Sequence, residues 1–299
     1  MGRGKSQKSL VLVEAARSIL EEIQPATVRA VCYRLFVLKL IKNMSKNETT
    51  KVSKQLVWAR EEGIIPWSWI VDETREAERV ISWSDPDAIL ESAVTQYRKD
   101  YWESQPEWVE VWSEKGTVRG SIASILKTYG VTFRVMHGYS SATALQSVAR
   151  ETQRNPKPLT ILYVGDWDPS GLNMSEGDIP SRLRRYAGEA TIHRIALNHQ
   201  DVTERDLPHF EAATKKGDSR YQWFVERYGN RCWELDALPP PDLRERVENA
   251  ILEHLDRDAW EHAREIEDAE VESMSLFLTE WKRSISRQDS KYSNPDDRR

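Results

Sequence analysis

Short apolar segments alternate with helical segments between residues 108 and 197, and this alternation constrains the fold more than any other feature of the chain. The segment Leu159–Val164 (LTILYV) is apolar almost throughout, as expected of a strand that is buried on both faces. The repeated β-α order predicts an α/β fold with a mainly parallel sheet that is covered by helices on both sides. The predicted strands are Trp108–Trp112, Val131–Met136, Leu159–Val164 and Thr191–Leu197. The predicted helices are Gly116–Tyr129, Ser141–Thr152 and Met174–Gly188.

The N-terminal segment has a different pattern, because its apolar residues recur at helical spacing. Three helices are predicted, over Ser9–Ile23, Val28–Leu40 and Thr49–Glu62. Three short helices, two of them basic, suggest a helix-turn-helix, although any small helical bundle would give the same pattern. The alternating residues 64–71 could then supply the wing of a winged helix. Residues 74–106 are charged and are predicted to form a helical linker.

The distribution of charge separates the two ends of the chain. The formal net charge is -5 overall. Residues 1–60 nevertheless contain twelve Lys and Arg against four Glu, whereas residues 241–299 contain sixteen acidic residues against ten basic ones. A basic N-terminal module is typical of proteins that bind a phosphate backbone, and a solvated charged surface is the alternative. We predict domains at 1–105, 106–240, 241–285 (a helical tail) and 286–299 (a disordered tail).

Cysteine content and hydropathy exclude several classes of protein. The two cysteines, Cys32 and Cys232, are far apart and neither lies in a CxxC pair, which argues against structural zinc and against a disulfide framework. No segment has the apolar length that a membrane span or a secretory signal would need. We therefore expect a cytoplasmic protein with no membrane partner.

Acidic residues follow two of the predicted strands. Glu114 comes just after the first strand, and Asp166 and Asp168 come just after the third. The carboxyl ends of parallel strands are where α/β proteins place their sites, and the two aspartates project to the same side of an extended chain. Pro169 and Gly171 then force a turn. A divalent cation would offset the repulsion between these acids, and Mg²⁺ prefers carboxylate oxygens, with Mn²⁺ as a possible substitute. A DxD pattern by itself is also common in ordinary loops.

The motifs around these acids resemble the Toprim domain. Glu114-Lys115-Gly116 after a strand, followed by Gly165-Asp166-Trp167-Asp168-Pro169-Ser170-Gly171, is most similar to the variant found in the topoisomerase VI A subunit and its meiotic double-strand-break relatives. The resemblance covers residues 107–240. It implies a Rossmann-like Toprim domain in which Glu114, Asp166 and Asp168 bind Mg²⁺ and take part in catalysis. It also implies Glu234 as an auxiliary acid, although a surface acid on a loop would look the same.

The same family has a winged helix before the Toprim domain, with a catalytic tyrosine on one of its helices. Residues 28–33 (VRAVCY) are similar to that VRxxxY segment. By this resemblance Tyr33 would be the nucleophile, and Arg29, one helical turn away, would contact phosphate. Arg34 would be a further DNA contact. A tyrosine at this spacing on an amphipathic helix is also compatible with simple core packing.

Two departures from the family leave the function open. The chain is shorter than a full A subunit and has no recognisable ATPase module or P-loop, so strand passage would need a separate ATPase partner. A stand-alone Toprim nuclease, in which water replaces Tyr33 as the nucleophile, fits equally well. The second hypothesis is a regulatory or structural DNA-binding subunit that holds metal without cutting. Lys115 and Arg119 flank the first motif and are predicted phosphate contacts, or merely solvated side chains. The expected partners are DNA and, by family analogy, a second copy of the chain.

Overall fold

The computed structural model describes residues 6–71, 82–136 and 142–292. For Val71 and residues 286–292 it describes the backbone alone. The chain forms two compact units. The first contains Met1–Glu76 and Pro106–His254, and the second contains Ala77–Gln105 and Leu255–Arg299. These boundaries differ from the predicted ones, because the N-terminal helices share a unit with the α/β region and the segment before Pro106 is grouped with the C-terminal helix.

The N-terminal part of the first unit is a bundle of three helices, as the periodicity predicts. They are α1 (Gln7–Ile23), α2 (Val28–Val37) and α3 (Lys46–Glu61). The side chain of Thr27 caps α2 by accepting a hydrogen bond from Ala30 N at 3.1 Å, which removes one of the unpaired donors at a helix start. The three helices enclose an apolar core whose fully buried members include Ala16, Leu20, Val31, Cys32, Leu35 and Ala59.

Residues 64–71, which were suggested to supply a wing, contain a 3₁₀ turn and a two-residue strand. Trp67–Trp69 forms a 3₁₀ turn, and the strand that follows, β2 (Ile70–Val71), pairs in parallel with β1 (Ala26–Thr27) rather than with a neighbouring strand of a hairpin. Pro66 precedes the turn. Trp67 is 58% exposed and lies under the guanidinium of Arg60, 4.1 Å from the ring centroid. The aromatic alternation therefore reflects a turn with one exposed ring, not a strand with two faces.

A four-stranded parallel sheet forms the centre of the first unit and confirms the predicted α/β class. Its strands pair in the order β4-β3-β5-β6. They are β3 (Trp108–Ser113), β4 (Thr132–Val135), β5 (Leu159–Val164) and β6 (Thr191–Ala196). All six residues of β5 are buried, which agrees with its apolar sequence. The chain adds β4 on one side of β3 and then crosses to add β5 on the other, so the direction of winding reverses between β3 and β5.

Helices connect the strands close to the predicted positions. They are α5 (Val118–Tyr129), α6 (Ala142–Arg154), α7 (Pro169–Asn173) and α8 (Ile179–Arg185), with a π-helical turn over Met174–Asp178 between the last two. The predicted start of α6 at Ser141 lies outside the described residues. Trp112, Tyr163, Leu145 and Met174 are among the side chains that form the core under α6 and α8.

The rest of the first unit follows β6. Its elements are α9 (His199–Glu204), β7 (Phe210–Glu211), a 3₁₀ turn at Ala212–Lys215, α10 (Tyr221–Tyr228), β8 (Arg231–Cys232), a 3₁₀ turn at Leu235–Ala237 and α11 (Pro240–Glu253). Leu243, Val247 and Ile251 of α11 are buried where the helix packs against α5, β5 and β6. The helix α11, which falls at the start of the helical tail predicted from residue 241, thus packs as part of the α/β layer.

The second unit pairs two helices that are far apart in the sequence. These are α4 (Pro86–Gln96) and α12 (Arg257–Tyr292). The linker predicted to be helical over 74–106 is helical only in α4, with residues 72–81 outside the described part. The tail predicted to be disordered from residue 286 continues as helix to Tyr292, and residues 293–299 lie outside it. In the described part of the chain, no helix combines the length and the apolar character that crossing a bilayer requires.

Candidate active site at the carboxyl edge of the sheet

The reversal of winding between β3 and β5 brings the predicted acidic residues to one edge of the sheet. Ser113 and Val164, the last residues of these neighbouring strands, are paired in register. Glu114 follows the first directly, and Asp166 follows the second after Gly165. In open α/β sheets this is the crevice where ligands bind. The fold therefore gives a physical reason for the two acidic motifs to lie side by side.

Asp168 is fixed by the start of α7. Its Oδ1 accepts a hydrogen bond from Gly171 N at 2.7 Å, which caps the helix, and Pro169 occupies the first helical turn. A Cβ atom at Gly171 would lie well under 3.0 Å from the carbonyl oxygen of Asp166, so only glycine fits here without moving the backbone. The turn predicted from Pro169 and Gly171 is present, and it holds both aspartates in a defined geometry.

Two lysines neutralise the aspartates. Lys115 Nζ lies 2.8 Å from Asp166 Oδ1 and 3.6 Å from Asp236 Oδ2, and Lys215 Nζ lies 3.1 Å from Asp168 Oδ2. Burial by itself would lower the pKa of Lys115, but the negative charges of Asp166 and Asp236 outweigh it and raise that pKa to about 12. Lys115 therefore stays protonated at neutral pH. Lys115 was predicted to contact phosphate. In the structure its ammonium group already has two carboxylate partners.

Glu114 shares the electrostatic environment of the aspartates. Its pKa is raised, first because burial disfavours the charged form and then because Asp166 and Asp168 repel a further negative charge. A carboxyl group that two other carboxylates and burial both push toward protonation is typical of a functional site. The negative charges of Asp166 and Asp168 thus reach Glu114 at the end of the neighbouring strand.

A second pair of acids joins this edge from the segment after β8. Leu235 N donates a hydrogen bond to Asp166 Oδ1 at 2.7 Å. The residues on either side of it, Glu234 and Asp236, both form ion pairs with Arg29 of α2, at 2.9 Å in the case of Asp236. Burial alone would lower the pKa of Arg29, but these two carboxylates raise it well above its ordinary value. Arg29 therefore links the helical bundle to the acidic edge in this structure.

The tyrosine proposed as a nucleophile lies near the acids but is covered. Tyr33 is 4% exposed, and its hydroxyl donates a hydrogen bond to the carbonyl oxygen of Pro208 at 3.0 Å. Burial raises the pKa of Tyr33, and the charges of Glu234 and Asp236 raise it further. The hydroxyl of Tyr33 is thus protonated and hydrogen-bonded to Pro208.

The other two predicted DNA contacts are not engaged in the same way. Arg34 is partly buried on α2, and Arg119 is exposed on α5. Two residues of the site lacked a clear signal in the sequence. Asp236 lies only two positions after Glu234, and a second acid at that spacing was the available sign. Lys215 comes from a 3₁₀ turn far along the chain, and no local pattern marks it.

The donor set suits a hard divalent cation in its chemistry. Mg²⁺ binds carboxylate oxygens and keeps several waters, so one or two protein ligands can hold it. In the described ranges, however, no three acidic, histidine or cysteine side chains are close enough to bind one ion together. The side chain of Asp166 pairs with Lys115 and accepts from Leu235 N through the same oxygen, Oδ1. Glu114, Asp166 and Asp168 would hold such an ion only after the Lys215 ammonium group has moved from Asp168.

The sequence was compared with protein-family models and with curated proteins. The chain matches no protein-family model and no curated protein sequence.

Proposed function

We propose that this chain is a Mg²⁺-dependent enzyme that cleaves phosphodiester bonds in DNA, with a Toprim-type site formed by Glu114, Asp166 and Asp168. The observation that supports the proposal most strongly is that Glu114 and Asp166 follow strands paired in register where the strand order reverses, with Asp168 two residues further on. The basic helices of the N-terminal bundle supply positive charge for a phosphate backbone.

Each group in the site has a chemical role in this proposal. A bound divalent ion polarises the phosphate and makes a bound water more acidic. Glu114, Asp166 and Asp168 hold the ion. Lys115 and Lys215, whose ammonium groups now neutralise the aspartates, stabilise the negative charge that develops on the phosphate oxygens. Release of these lysines from the aspartates is then a part of substrate binding.

Two nucleophiles are compatible with the site, and an observation favours each. Burial of Tyr33 and its hydrogen bond to Pro208 favour hydrolysis by water, since the hydroxyl is covered. The electrostatic coupling of Tyr33 to Glu234, Asp236 and Asp166 favours transesterification, because it places the phenol beside the acidic edge. Transesterification also requires the hydrogen bond of Tyr33 to Pro208 to open so that the hydroxyl becomes accessible.

A non-catalytic role is the second candidate. The ion pairs of Lys115 with Asp166 and of Lys215 with Asp168 neutralise the site without any metal. Such a chain would be a regulatory or structural DNA-binding subunit.

A homodimer and a separate ATPase partner also belong to the proposal, since a tyrosyl mechanism cuts one strand per chain.

Plasmid cleavage tests these alternatives. The purified chain is incubated with supercoiled plasmid and Mg²⁺ or Mn²⁺, alongside Asp166→Asn, Tyr33→Phe and Asp178→Asn, and the reactions are quenched with denaturant. Asp178 forms an ion pair with Arg182 on α8, so its variant controls for the loss of an acid outside the site. We expect nicking or linearisation by the wild type and by Asp178→Asn, and at least about 10³-fold less by Asp166→Asn, because the site loses a carboxylate charge.

The Tyr33→Phe variant decides the mechanism. Cleavage that survives in Tyr33→Phe identifies water as the nucleophile. Protein covalently attached to the DNA after the quench, and lost in Tyr33→Phe, identifies transesterification. If the wild-type chain binds plasmid but leaves it intact under every metal condition, the enzymatic proposal fails and the non-catalytic role remains.

A further inference from the structure

Arg194 of β6 occupies an unusual position next to the acidic edge. Its guanidinium extends over the rings of Tyr163 and Trp167, with distances of 5.3 and 5.8 Å to the two centroids. It is paired in register with Tyr163 on β5, so the side chain crosses from the edge strand toward the end of the neighbouring strand. The sequence offers one sign of this role, namely a charged residue within a largely apolar strand.

All five N–H donors of this guanidinium are used. Nε donates to Leu197 O at 2.6 Å, and Nη1 donates to Gly171 O at 3.0 Å and to Ser175 Oγ at 2.8 Å. Nη2 donates to Gly165 O at 3.0 Å and to Asp166 O. Four of the five acceptors are main-chain carbonyls. A guanidinium has five N–H donors in a fixed planar arrangement. Since Arg194 makes five hydrogen bonds, each of its donors has an acceptor.

These acceptors belong to the segments that carry the site. Gly165 and Asp166 form the end of β5, Gly171 and Ser175 follow the cap made by Asp168, and Leu197 follows β6. Among the described residues no carboxylate lies within ion-pair distance of Arg194, and burial lowers its pKa. An arginine without a carboxylate partner, bound instead to the backbone of one loop, acts through hydrogen-bond geometry more than through charge pairing.

We propose that Arg194 is a positioning residue that fixes the Asp166–Gly171 loop, and with it the orientation of the Asp166 and Asp168 carboxylates for a divalent cation. This inference rests on the proposed metal site but assigns a residue outside it. Groups that orient metal ligands from behind typically change metal affinity by roughly 10- to 100-fold when they are replaced.

The alternative roles of Arg194 predict different results. If its positive charge mattered most, removing it would tighten cation binding, because a repulsive charge near the carboxylates would be gone. If it served only the stability of the fold, folded variants would bind metal as the wild type does. If it positions the loop, both Arg194→Lys and Arg194→Met weaken binding, because the three donors of lysine cannot reproduce the five of arginine.

Mn²⁺ binding, followed by the electron paramagnetic resonance signal of the free ion, separates these cases. Arg246→Met is the matched control, because Arg246 is similarly engaged in the same unit, with 2.5 and 2.8 Å hydrogen bonds to Asp201 and one to Ile195 O. We expect roughly 10- to 100-fold weaker Mn²⁺ binding in both Arg194 variants. We expect Arg246→Met to bind Mn²⁺ within about twofold of wild type, although it also unfolds at a lower temperature. Unchanged or tighter binding in a folded Arg194 variant overturns the inference. If Arg194→Met does not fold, Arg194→Lys decides.

Hydrogen exchange keeps the inference testable if the wild type binds no Mn²⁺, a result that would refute the proposed metal site. The amides of Gly171 and Leu172 donate to Asp168 within this loop, and the amide of Trp167 donates to the carbonyl oxygen of Trp233. Faster exchange at these amides in both Arg194 variants than in Arg246→Met supports the positioning role. Equal exchange in all three variants refutes it.

Discussion

The carboxyl edge of the sheet and the α4–α12 pair are both rich in charged side chains, but they hold them in opposite ways. At the sheet edge the side chains of Asp166, Asp168 and Asp236 are 12%, 5% and 13% exposed. On the helical pair, the ion pair of Lys282 with Glu91 joins side chains that are 43% and 54% exposed. Charges that are kept from water must be matched by partners in the fold, whereas exposed charges are matched by solvent.

This difference indicates where charge has a purpose beyond solubility. The α4–α12 pair uses ion pairs along its surface, and α4 contains no buried residue. The sheet edge concentrates five acidic residues and offsets them with Lys115, Lys215 and Arg29. Such an arrangement costs stability unless every partner is in place, and sites of this kind are often functional. Four substitutions test this contrast between the sheet edge and the helical pair, in order of decreasing expected effect.

The largest expected effect comes from Gly171→Ala. The new Cβ would overlap the Asp166 carbonyl oxygen, a backbone atom that cannot move alone, so we expect a loss of about 3 kcal/mol in the free energy of unfolding. Urea denaturation measures it. Gly217→Ala is the control, because nothing lies within 4 Å of a Cβ there, and its effect should stay within about 0.5 kcal/mol. Equal stability of both variants would contradict the described loop.

Lys115→Met should have the next largest effect. It leaves Asp166 and Asp236 without their shared ammonium group, and we expect a loss of about 2 kcal/mol in the absence of metal. Mg²⁺ should then stabilise the variant more than it stabilises the wild type, since the cation has no lysine to compete with. Thermal unfolding with and without Mg²⁺ measures both effects. Lys127→Met, at an exposed position of α5, is the control. A Lys115 variant as stable as wild type would show that the pair contributes nothing.

Glu114→Gln should make the protein slightly more stable and should abolish cleavage. The pKa of Glu114 is raised in the folded state, so folding favours the protonated form. Stability therefore falls as the pH rises from the ordinary glutamate pKa through the raised one. The amide has no such penalty. We expect both proteins to unfold alike at the acid end of this range and the variant to be more stable above it, by less than about 1 kcal/mol because the residue is partly solvated. Unfolding curves across this range that coincide for both proteins would argue against the buried charge.

Lys282→Gln should have the smallest effect. The side chain is exposed and its ion pair with Glu91 is solvated, so we expect the midpoint of thermal unfolding to be the same as in the wild type. A clear fall in this midpoint would mean that the second unit depends on surface ion pairs, and the contrast between the two regions would be lost.

The sequence was sufficient to predict the parallel sheet and to place three acids after its strands, whereas their role as a metal site stays a prediction. β5 was predicted at its observed bounds because six apolar residues leave little choice, and Glu114, Asp166 and Asp168 were identified because they follow strands. Lys215 and Arg194 could not be found in this way. Their roles depend on where a distant turn and a neighbouring strand lie in three dimensions, and no local period encodes that.

The grouping of segments was also beyond the sequence pattern. Residues 1–105 look like one basic and helical region, yet α2 is bound to Glu234 and Asp236 through Arg29, while α4 has α12 as its partner. Amphipathic periodicity shows that a helix has an apolar face but not which surface covers it. The aromatic alternation at residues 64–71 is ambiguous for a related reason, because it does not distinguish a strand from the turn in which Trp67 stacks on Arg60.

The pairing of α4 with α12 has a consequence for synthesis of the chain. About 160 residues separate the end of α4 from the start of α12. At roughly 5–20 residues per second, the ribosome needs on the order of ten to thirty seconds to supply that partner. During this interval the nascent chain can complete the parallel sheet, while α4 has no partner helix. Assembly of the second unit therefore cannot begin until α12 has been synthesised.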